Sequence, residues 1–445
     1  MAAPTAEPRA TVPGRLPPRN LGRVGVWGLF ALLLIALPLL FTSSLALTML
    51  SQMGYLTIVC LSYNILLGQG GMLSFGHAVY TGLGSFVAIH AMNRVADGGP
   101  PIPLVLIPLV GGLAGLACAV LLGFVTTRKS GTTFAMITLG MGELVAAMAL
   151  MFPGFFGGEG GITTDRVYGP PVLGITFGPA IEVYYLIAAY CFVCTAAMFA
   201  FTGTPLGRIL NAVRDNPERV EFIGYNPQRV RYFAFVIAGF FAGIGGGLAA
   251  INFEIVSGAD SLSPVRSGSY LLFTFLGGAT FFFGPIIGAV LLVLASVLLS
   301  ELTQAWLLYL GLWFLCMVVY APGGMASLVM RHLRVARSGK LRALLPSYLA
   351  LGSAALVALL GAACMVEMAY HLQLNAAMGP VLQLGGLALD ATAPTPWLGA
   401  GGVLLLGLGL LVLCRRRFMR RWERVQEEIE RIEHAEREIP LGEAL

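Results

Sequence analysis

The sequence has 445 residues, of which 57% are hydrophobic and 11% are charged, and its formal net charge at pH 7 is +5. A soluble globular protein of this length needs a charged surface that this composition does not supply, so that class is excluded. Apolar runs of roughly 20 residues recur along the chain and predict an all-α, polytopic transmembrane helical bundle, because a helix of that length crosses about 30 Å of hydrocarbon.

The predicted elements begin with a Pro- and Arg-rich tail, residues 1–23. Residues 24–330 form the main transmembrane domain, with about ten crossings by the length of their apolar runs. A basic linker at 331–346 leads to an additional two-span hairpin at 347–414, and residues 415–445 predict a charged tail helix. The total is therefore about twelve crossings.

The basic residues are clustered rather than spread over the chain. Lysine and arginine total 27, and only Arg94, Arg166 and Arg266 lie outside five clusters. If all the clusters face the cytoplasm, the positive-inside rule gives one orientation with both termini cytoplasmic. This placement argues against nucleic acid as a partner, because the charge follows the membrane topology. The clusters are residues 9–23, 128–129, 208–231, 331–342 and 415–437.

A glycine-rich polar stretch, LGQGGMLSFGHAVYTGLGS (residues 67–85), follows the second predicted span. Glycines at this point predict a break in the helix, which is tolerated at membrane depth only inside protein or beside water. Four polar residues at or near membrane depth are candidates to line a solute path: Asn64, Gln69, Ser74 and His77. The alternative is a short loop at the membrane interface, with His77 hydrogen-bonded inside the bundle.

A second polar position lies in the fifth predicted span, FAMITLGMGELVAAM. Glu143 stands near its middle, where a buried carboxylate is unfavourable unless it is paired or protonated. With Thr138, it is either a residue of the solute path or a structural hydrogen-bonding group. The span ends before a glycine-rich segment predicted to be external, in which Gly158, Glu159 and Gly161 either contact a docking partner or solute or form a plain connector.

The connection at 203–231 is long and carries both charge signs. Asn216 before Pro217 predicts a helix cap, and Gly224 predicts the end of a short helix at Phe222. A charged helix projected from a membrane bundle suits contact with a soluble motor, and the alternative is a solvated surface loop.

Glycines at four-residue spacing predict close contact between helices, because small residues let backbones approach in lipid. They are Gly239, Gly243 and Gly247, then Gly111 and Gly115, then Gly284 and Gly288.

The sequence lacks the constellations of an enzyme. No phosphate-binding loop accompanies Lys129 or Lys340, and no metal-ligand spacing occurs. We therefore predict no cofactor, no metal and no catalytic residue, and energy for uphill transport would come from an ion gradient or a partner ATPase. Seven cysteines in or beside apolar runs predict no disulfide framework.

Several of these segments together resemble one known family. The stretches LSYNILLGQGGMLSFGHAVYTGLGS, FAMITLGMGE, GGEGGI and LGRILNAVRDNPERVEFIGYNPQRVRYF are similar to the permease subunits of branched-chain amino acid ABC importers. The match covers roughly residues 45–329. The chain departs from the family after about Arg342, where the two further spans and the tail begin.

The resemblance implies a type II-like importer permease in a bacterial inner membrane. Its implied partners are a second permease subunit, in a hetero- or homodimer, two cytosolic ABC ATPase subunits and a periplasmic solute-binding protein. Branched-chain amino acids or related small amphipathic solutes such as urea, short amides and aromatic acids are the implied cargo. The ATPase-coupling role is implied for Ala212, Arg214, Asn216, Glu218 and Gly224.

Two other functions are compatible with the residues. An ion-coupled secondary transporter would suit a broken helix and an intramembrane carboxylate, and a non-transporting membrane scaffold would bind partners without moving solute. The tail would either strengthen ATPase docking or bind membrane lipid.

Overall fold

The computed structural model describes residues 21–167, 176–337, 341–374, 379–384 and 387–438. Most of the predicted N-terminal tail, part of the basic linker and the end of the charged tail lie outside them. Within the described residues the chain is a bundle of helices, which confirms the predicted fold class. The helices are α1 (Leu21–Leu40), α2 (Ser44–Asn64), α3 (His77–Ala96), α4 (Ile107–Thr126), α5 (Gly131–Met151), α6 (Pro153–Phe156), α7 (Ala180–Gly203), α8 (Pro205–Asp215), α9 (Pro217–Phe222), α10 (Pro227–Phe253), α11 (Gly258–Ser261), α12 (Pro264–Gly277), α13 (Gly284–Val293), α14 (Ser300–Leu302), α15 (Trp306–Tyr320), α16 (Gly324–Arg337), α17 (Leu341–Leu374) and α18 (Pro394–Glu438).

Eight helical segments in the described chain are long and apolar enough to cross a membrane. A ninth results if α15 and α16, which meet at a 54° bend, count as one span. The prediction of about twelve crossings stays a prediction. It needs α1, α3 and α12 as well, and each is too short or too polar to meet that standard alone.

Four short strands form two antiparallel pairs. Strand β1 (Ile162–Thr163) pairs with β2 (Ile255–Val256), so that Ile162 lies opposite Val256. Strands β3 (Val381–Leu384) and β4 (Leu387–Asp390) form a hairpin between α17 and α18. Neither pair was predicted from the sequence, because two-to-four-residue strands leave too short an alternation to detect.

The bundle has two ends that differ in charge. We call the end that carries α8, α9 and the α4–α5 connection the basic end; there the Tyr232 hydroxyl at the start of α10 donates to the Val120 carbonyl near the end of α4. The β1–β2 pair lies at the opposite end. Arg166 and Glu254 are 3.5 Å apart there, and a Glu254 oxygen also accepts from the Arg166 backbone amide.

Close packing of the helices at the centre of the bundle requires glycine. Helix α10 packs on α4 so closely that a Cβ at Gly243 would overlap the Gly111 carbonyl oxygen, and one at Gly115 would overlap the Gly239 carbonyl. A Cβ at Gly84 on α3 would lie 2.7 Å from the Gly243 Cα atom. The glycine repeats therefore make the predicted close contacts, and they bring α3, α4 and α10 together.

Replacing Gly243 by alanine should destabilise the folded protein, because α4 and α10 must separate to admit the methyl group. Overpacking of this kind typically costs about 1–3 kcal/mol. A lower melting temperature in detergent is the expected measurement. Gly140→Ala on α5 is the control, since a Cβ there meets no atom within 4 Å; equal melting temperatures for the two variants would contradict the packing.

The additional C-terminal segment folds as one long helical hairpin. Helices α17 and α18 approach at Gly361 and Gly407, where a Cβ would meet backbone atoms of the partner helix. Helix α18 continues for 45 residues without a break, so the predicted hairpin-to-tail boundary at residue 415 lies inside a single helix. The hairpin contacts the rest of the bundle near the opposite end, where the Glu367 carboxylate accepts from the Thr303 hydroxyl and, at 3.1 Å, from the Tyr309 hydroxyl.

Candidate functional site

The predicted helix break lies at the basic end of α2. The α-helix ends at Asn64, continues as a wider π-helical turn over Ile65–Gln69, and gives way to seven non-helical residues before α3 begins at His77. Gly71 has a φ of +63°, which strongly favours glycine. The sequence predicted this break, and the π-helical turn adds a feature that is frequent at functional sites.

Buried polar groups concentrate around this break. Asn64, Ser74 and His77 are all buried. The Ser62 hydroxyl donates to the Val59 carbonyl, so His77 Nε2 donates to Ser62 Oγ at 2.8 Å and Nδ1 is left as an acceptor. Within the described chain, Asn64 Oδ1, Ser74 Oγ and His77 Nδ1 have no hydrogen-bond partner. Buried polar atoms without partners are unusual and mark a place where water or another conformation must supply one.

Tyr63 fixes the loop that follows the break. Its hydroxyl donates to the Ser74 carbonyl at 2.7 Å and accepts from the Ser74 amide at 3.2 Å. Its ring packs edge-on against the His77 imidazole with centroids 5.0 Å apart. The loop between the π-helical turn and α3 is therefore held in one geometry.

The same loop is attached to α5. The Thr138 hydroxyl accepts from the Phe75 amide at 3.1 Å and donates to the Ala135 carbonyl. A Cβ at Gly76 would lie 2.5 Å from the Thr138 carbonyl oxygen, so the backbones touch. Any shift of the loop must therefore move α5 or break this contact.

Glu143 lies on the other side of α5. It is exposed on the face that also carries Met136 and Leu144, whereas Thr138 on the loop side is buried. The structure thus does not bring Glu143 to the polar cluster at the break. A carboxylate on an apolar, membrane-length helix disfavours direct contact with lipid and faces protein or water in most membrane proteins.

Helix α8 binds the break from the basic end. The Asn211 side-chain amide donates to Gln69 Oε1 at 2.8 Å, and Arg214 Nη1 donates to the Gly68 carbonyl at 2.5 Å. Arg214 also pairs with Asp215 at 3.0 Å. The structure therefore brings together Arg214, predicted for coupling, and Gln69, predicted for the path.

The sequence analysis missed Asn211 and treated α8 as a loop. A signal was present, because Leu206, Leu210 and Val213 recur at helical spacing. The amide pair itself joins residues 142 positions apart, and no single-sequence pattern reports such a contact.

Helix α9 follows α8 and ends at Phe222, where the sequence predicted the end of a short helix. Asn216 Oδ1 caps it by accepting from the Arg219 amide at 3.1 Å, and Gly224 follows it with a φ of +91°. Ala212 and Glu218 are exposed. At its end, the side chains of Phe222 and Ile223 are 89% and 67% exposed.

The predicted external segment lies at the opposite end, apart from the break. Gly158 and Gly161 have φ values of +63° and +72°, and Glu159 is exposed on the 3₁₀ turn between them. A Cβ at Gly161 would lie against the Val256 carbonyl, so the turn is closed onto β2. In the described ranges no group of three or more His, Cys, Asp or Glu residues could hold a metal ion.

Comparison with known proteins gives one family. The family model described as branched-chain amino acid transport system / permease component matches residues 45–322. The high-affinity branched-chain amino acid transport system permease protein LivM of Salmonella typhimurium is 28% identical over 336 residues, which are 70% of this chain and 77% of the relative. LivM of Escherichia coli is 26% identical over 303 residues, 62% of this chain and 69% of the relative.

A relative that matches a shorter part of the chain is named for another solute. The guanosine ABC transporter permease protein NupQ of Bacillus subtilis is 29% identical over 120 residues, 25% of this chain and 37% of that protein. No solved structure matches the chain.

Proposed function

Because the chain belongs to the family of permease components of branched-chain amino acid transport systems, we propose that it forms half of the solute path of an ATP-driven importer. The other half is a second permease subunit, two cytosolic ATPases supply the energy, and an external binding protein delivers the solute. In this proposal the protein spans the bacterial inner membrane with both termini in the cytoplasm, as the clustered basic residues favour.

The observation that carries the proposal is the surface of α9. Phe222 and Ile223 are mostly exposed at the end of this short charged helix. Large apolar side chains that stand together in water mark interaction sites. Glu218 and Arg219 beside them supply charges for orienting a soluble partner. Binding of an ATPase to this tip would account for both the exposed apolar side chains and the charges beside them.

The contacts at the break supply a route for the motion. Movement of α9 carries α8 with it, and α8 is bonded to Gly68 and Gln69 at the end of α2. The loop after Gln69 is bonded in turn to Thr138 on α5. The proposed sequence of events is therefore ATPase closure, displacement of the π-helical turn and a shift of α5.

Helix α5 is the element that we assign to the solute path. Its outward face carries Glu143 among apolar side chains such as Met136 and Leu144. A path formed between two permease subunits accommodates that carboxylate better than lipid does. This face of α5 carries both a carboxylate and apolar side chains, so it would complement an amphipathic solute that has a charged amino group and an apolar side chain.

Leucine, isoleucine and valine are the first solutes to test, because the two LivM relatives are named for branched-chain amino acids. The guanosine permease relative indicates that the family takes chemically different cargo. Urea, short amides and aromatic acids are the next candidates.

The test is uptake of labelled leucine into right-side-out membrane vesicles that contain the permease, its ATPases and its binding protein. We expect uptake to require ATP inside the vesicles and to persist when a protonophore removes the ion gradient. A matched preparation without the permease gives the background.

Two outcomes would contradict the proposal. Uptake that ignores ATP and stops with the protonophore would make the protein an ion-coupled transporter. Absence of flux for every candidate solute, with all partners bound, would make it a scaffold.

A further inference from the structure

The C-terminal hairpin, which lies beyond the region matched by the family, presents apolar faces with no protein against them. Away from the α17–α18 contact, long apolar side chains are exposed along most of its length. Only a small part of either helix is buried by the chain. Lipid chains are the natural cover for such faces in a membrane-spanning hairpin. The exposed residues include Leu349, Leu356, Leu359, Leu360, Leu405, Leu406, Leu410 and Leu413.

An aromatic cluster fixes the hairpin at the basic end. His332 of α16 donates from Nδ1 to the Leu328 carbonyl, so its Nε2 accepts from the Tyr348 hydroxyl at 2.7 Å. The Tyr348 ring packs on Phe418 at 4.9 Å, and Phe418 stacks on Trp422 at 5.9 Å between centroids. The cluster thus joins α16, α17 and α18, and its Tyr348 and Trp422 are of the residue types enriched at membrane–water interfaces.

Arginines begin directly beside this cluster. Helix α18 passes from apolar Leu413 to Arg415 without a break, so the first arginines lie at the edge of the hydrocarbon. Arg415 sits over the Tyr320 ring at 5.2 Å, and Arg421 donates to the Ser347 hydroxyl at 2.9 Å. The following side chains on α18 and α16 are exposed at the same end of the bundle: Arg416, Arg417, Arg420 and Arg331.

We propose that these arginines bind the headgroups of anionic phospholipids whose chains lie along the leucines of the hairpin. Three features meet at one place: a positive surface at headgroup level, an aromatic cluster that fixes its position, and an uncovered apolar surface continuous with it. Basic side chains next to the bilayer attract anionic lipid within a Debye length, and each adds to the binding. The site does not depend on the ATP-driven function proposed above.

The test compares lipid retention by the full-length protein in two kinds of nanodisc, phosphatidylcholine alone and phosphatidylcholine with phosphatidylglycerol. Bound lipid is counted by native mass spectrometry after transfer to detergent. We expect the wild-type protein to retain phosphatidylglycerol selectively. The triple variant Arg416→Gln, Arg417→Gln, Arg420→Gln should lose that selectivity by about tenfold or more, since three charges near the surface are removed.

A matched triple variant, Arg128→Gln, Arg208→Gln, Arg229→Gln, removes the same charge from exposed arginines of the basic end outside the hairpin. It should keep the wild-type selectivity. Selectivity should also fall as salt is raised, because exposed charges are screened. The triple variant with lysine at residues 416, 417 and 420 keeps the charge, should retain the lipid, and serves if the glutamine variant does not fold.

Three results would overturn the proposal. In the first, the wild-type protein would show no preference for phosphatidylglycerol. In the second, both glutamine variants would lose that preference equally. In the third, the hairpin variant would keep its lipid but, in a separate copurification, would no longer bring down the ATPase, which would make the arginine face a protein-docking surface.

Discussion

In the proposed importer, Phe222→Asp should separate the permease from its ATPase while the protein still inserts into the membrane. Phe222 stands almost fully exposed at the end of α9, next to the exposed Ile223. If the ATPase covers this tip, the substitution removes a large apolar contact and buries a carboxylate without a partner. Central aromatic residues of interfaces commonly contribute about 2 kcal/mol or more. We therefore expect ATPase copurification and leucine uptake to fall by at least about tenfold.

The control places the same charge on an exposed apolar side chain at the other end of the bundle. Val167 is 49% exposed there, and Val167→Asp should leave ATPase copurification unchanged. Phe222→Leu keeps an apolar tip and should retain most of the binding. Full ATPase binding by Phe222→Asp would remove the support that α9 gives to the proposed function.

In the same proposed importer, Asn211→Leu should uncouple ATP hydrolysis from transport without detaching the ATPase. Leucine has the same branched arrangement of side-chain heavy atoms as asparagine but cannot donate to Gln69, so the 2.8 Å bond between α8 and the break is lost. The tip of α9 is unchanged. We expect normal copurification, continued ATP hydrolysis, and a fall of about fivefold or more in leucine transported per ATP, the lower range of typical coupling energies.

Rescue tests whether the amide pair itself is responsible. Gln69→Leu should give the same loss, and the double variant no further loss, because both changes remove one interaction. The reciprocal exchange Gln69→Asn with Asn211→Gln keeps the combined side-chain length and should restore transport per ATP. Unchanged stoichiometry in both single variants would show that motion does not pass through this pair, whether or not the ATPase binds α9.

The sequence was most informative where the cause of structure is local. The glycine repeat around Gly243 predicted a close helix contact because a residue without a side chain lets two helix backbones approach. The cap at Asn216 could also be predicted, since the side chain and the amide that it accepts from are three residues apart. The glycines at 68, 70 and 71 predicted the end of α2 for the same reason.

Contacts between residues far apart in the sequence could not be predicted from it. Asn211 and Gln69 belong to elements far apart in sequence, so their bond depends on how α8 folds back on the bundle. Glu143 could be located in a span, but the face that it occupies follows from which side of α5 packs on the loop through Thr138. The merging of hairpin and tail into α18 was also missed, because a change from apolar to charged residues resembles a boundary even where helix propensity is continuous.

The unbroken course of α18 has a mechanical consequence. At about 1.5 Å per residue its 45 residues extend roughly 68 Å, about twice the thickness of the hydrocarbon. The 16 residues beyond Trp422 therefore form an arm of about 24 Å that pivots on the aromatic cluster around Trp422 and Tyr348. A tilt of the membrane-embedded part about this cluster swings the free end in the opposite direction, so a change in bilayer thickness or composition that tilts α18 would also displace its end outside the hydrocarbon.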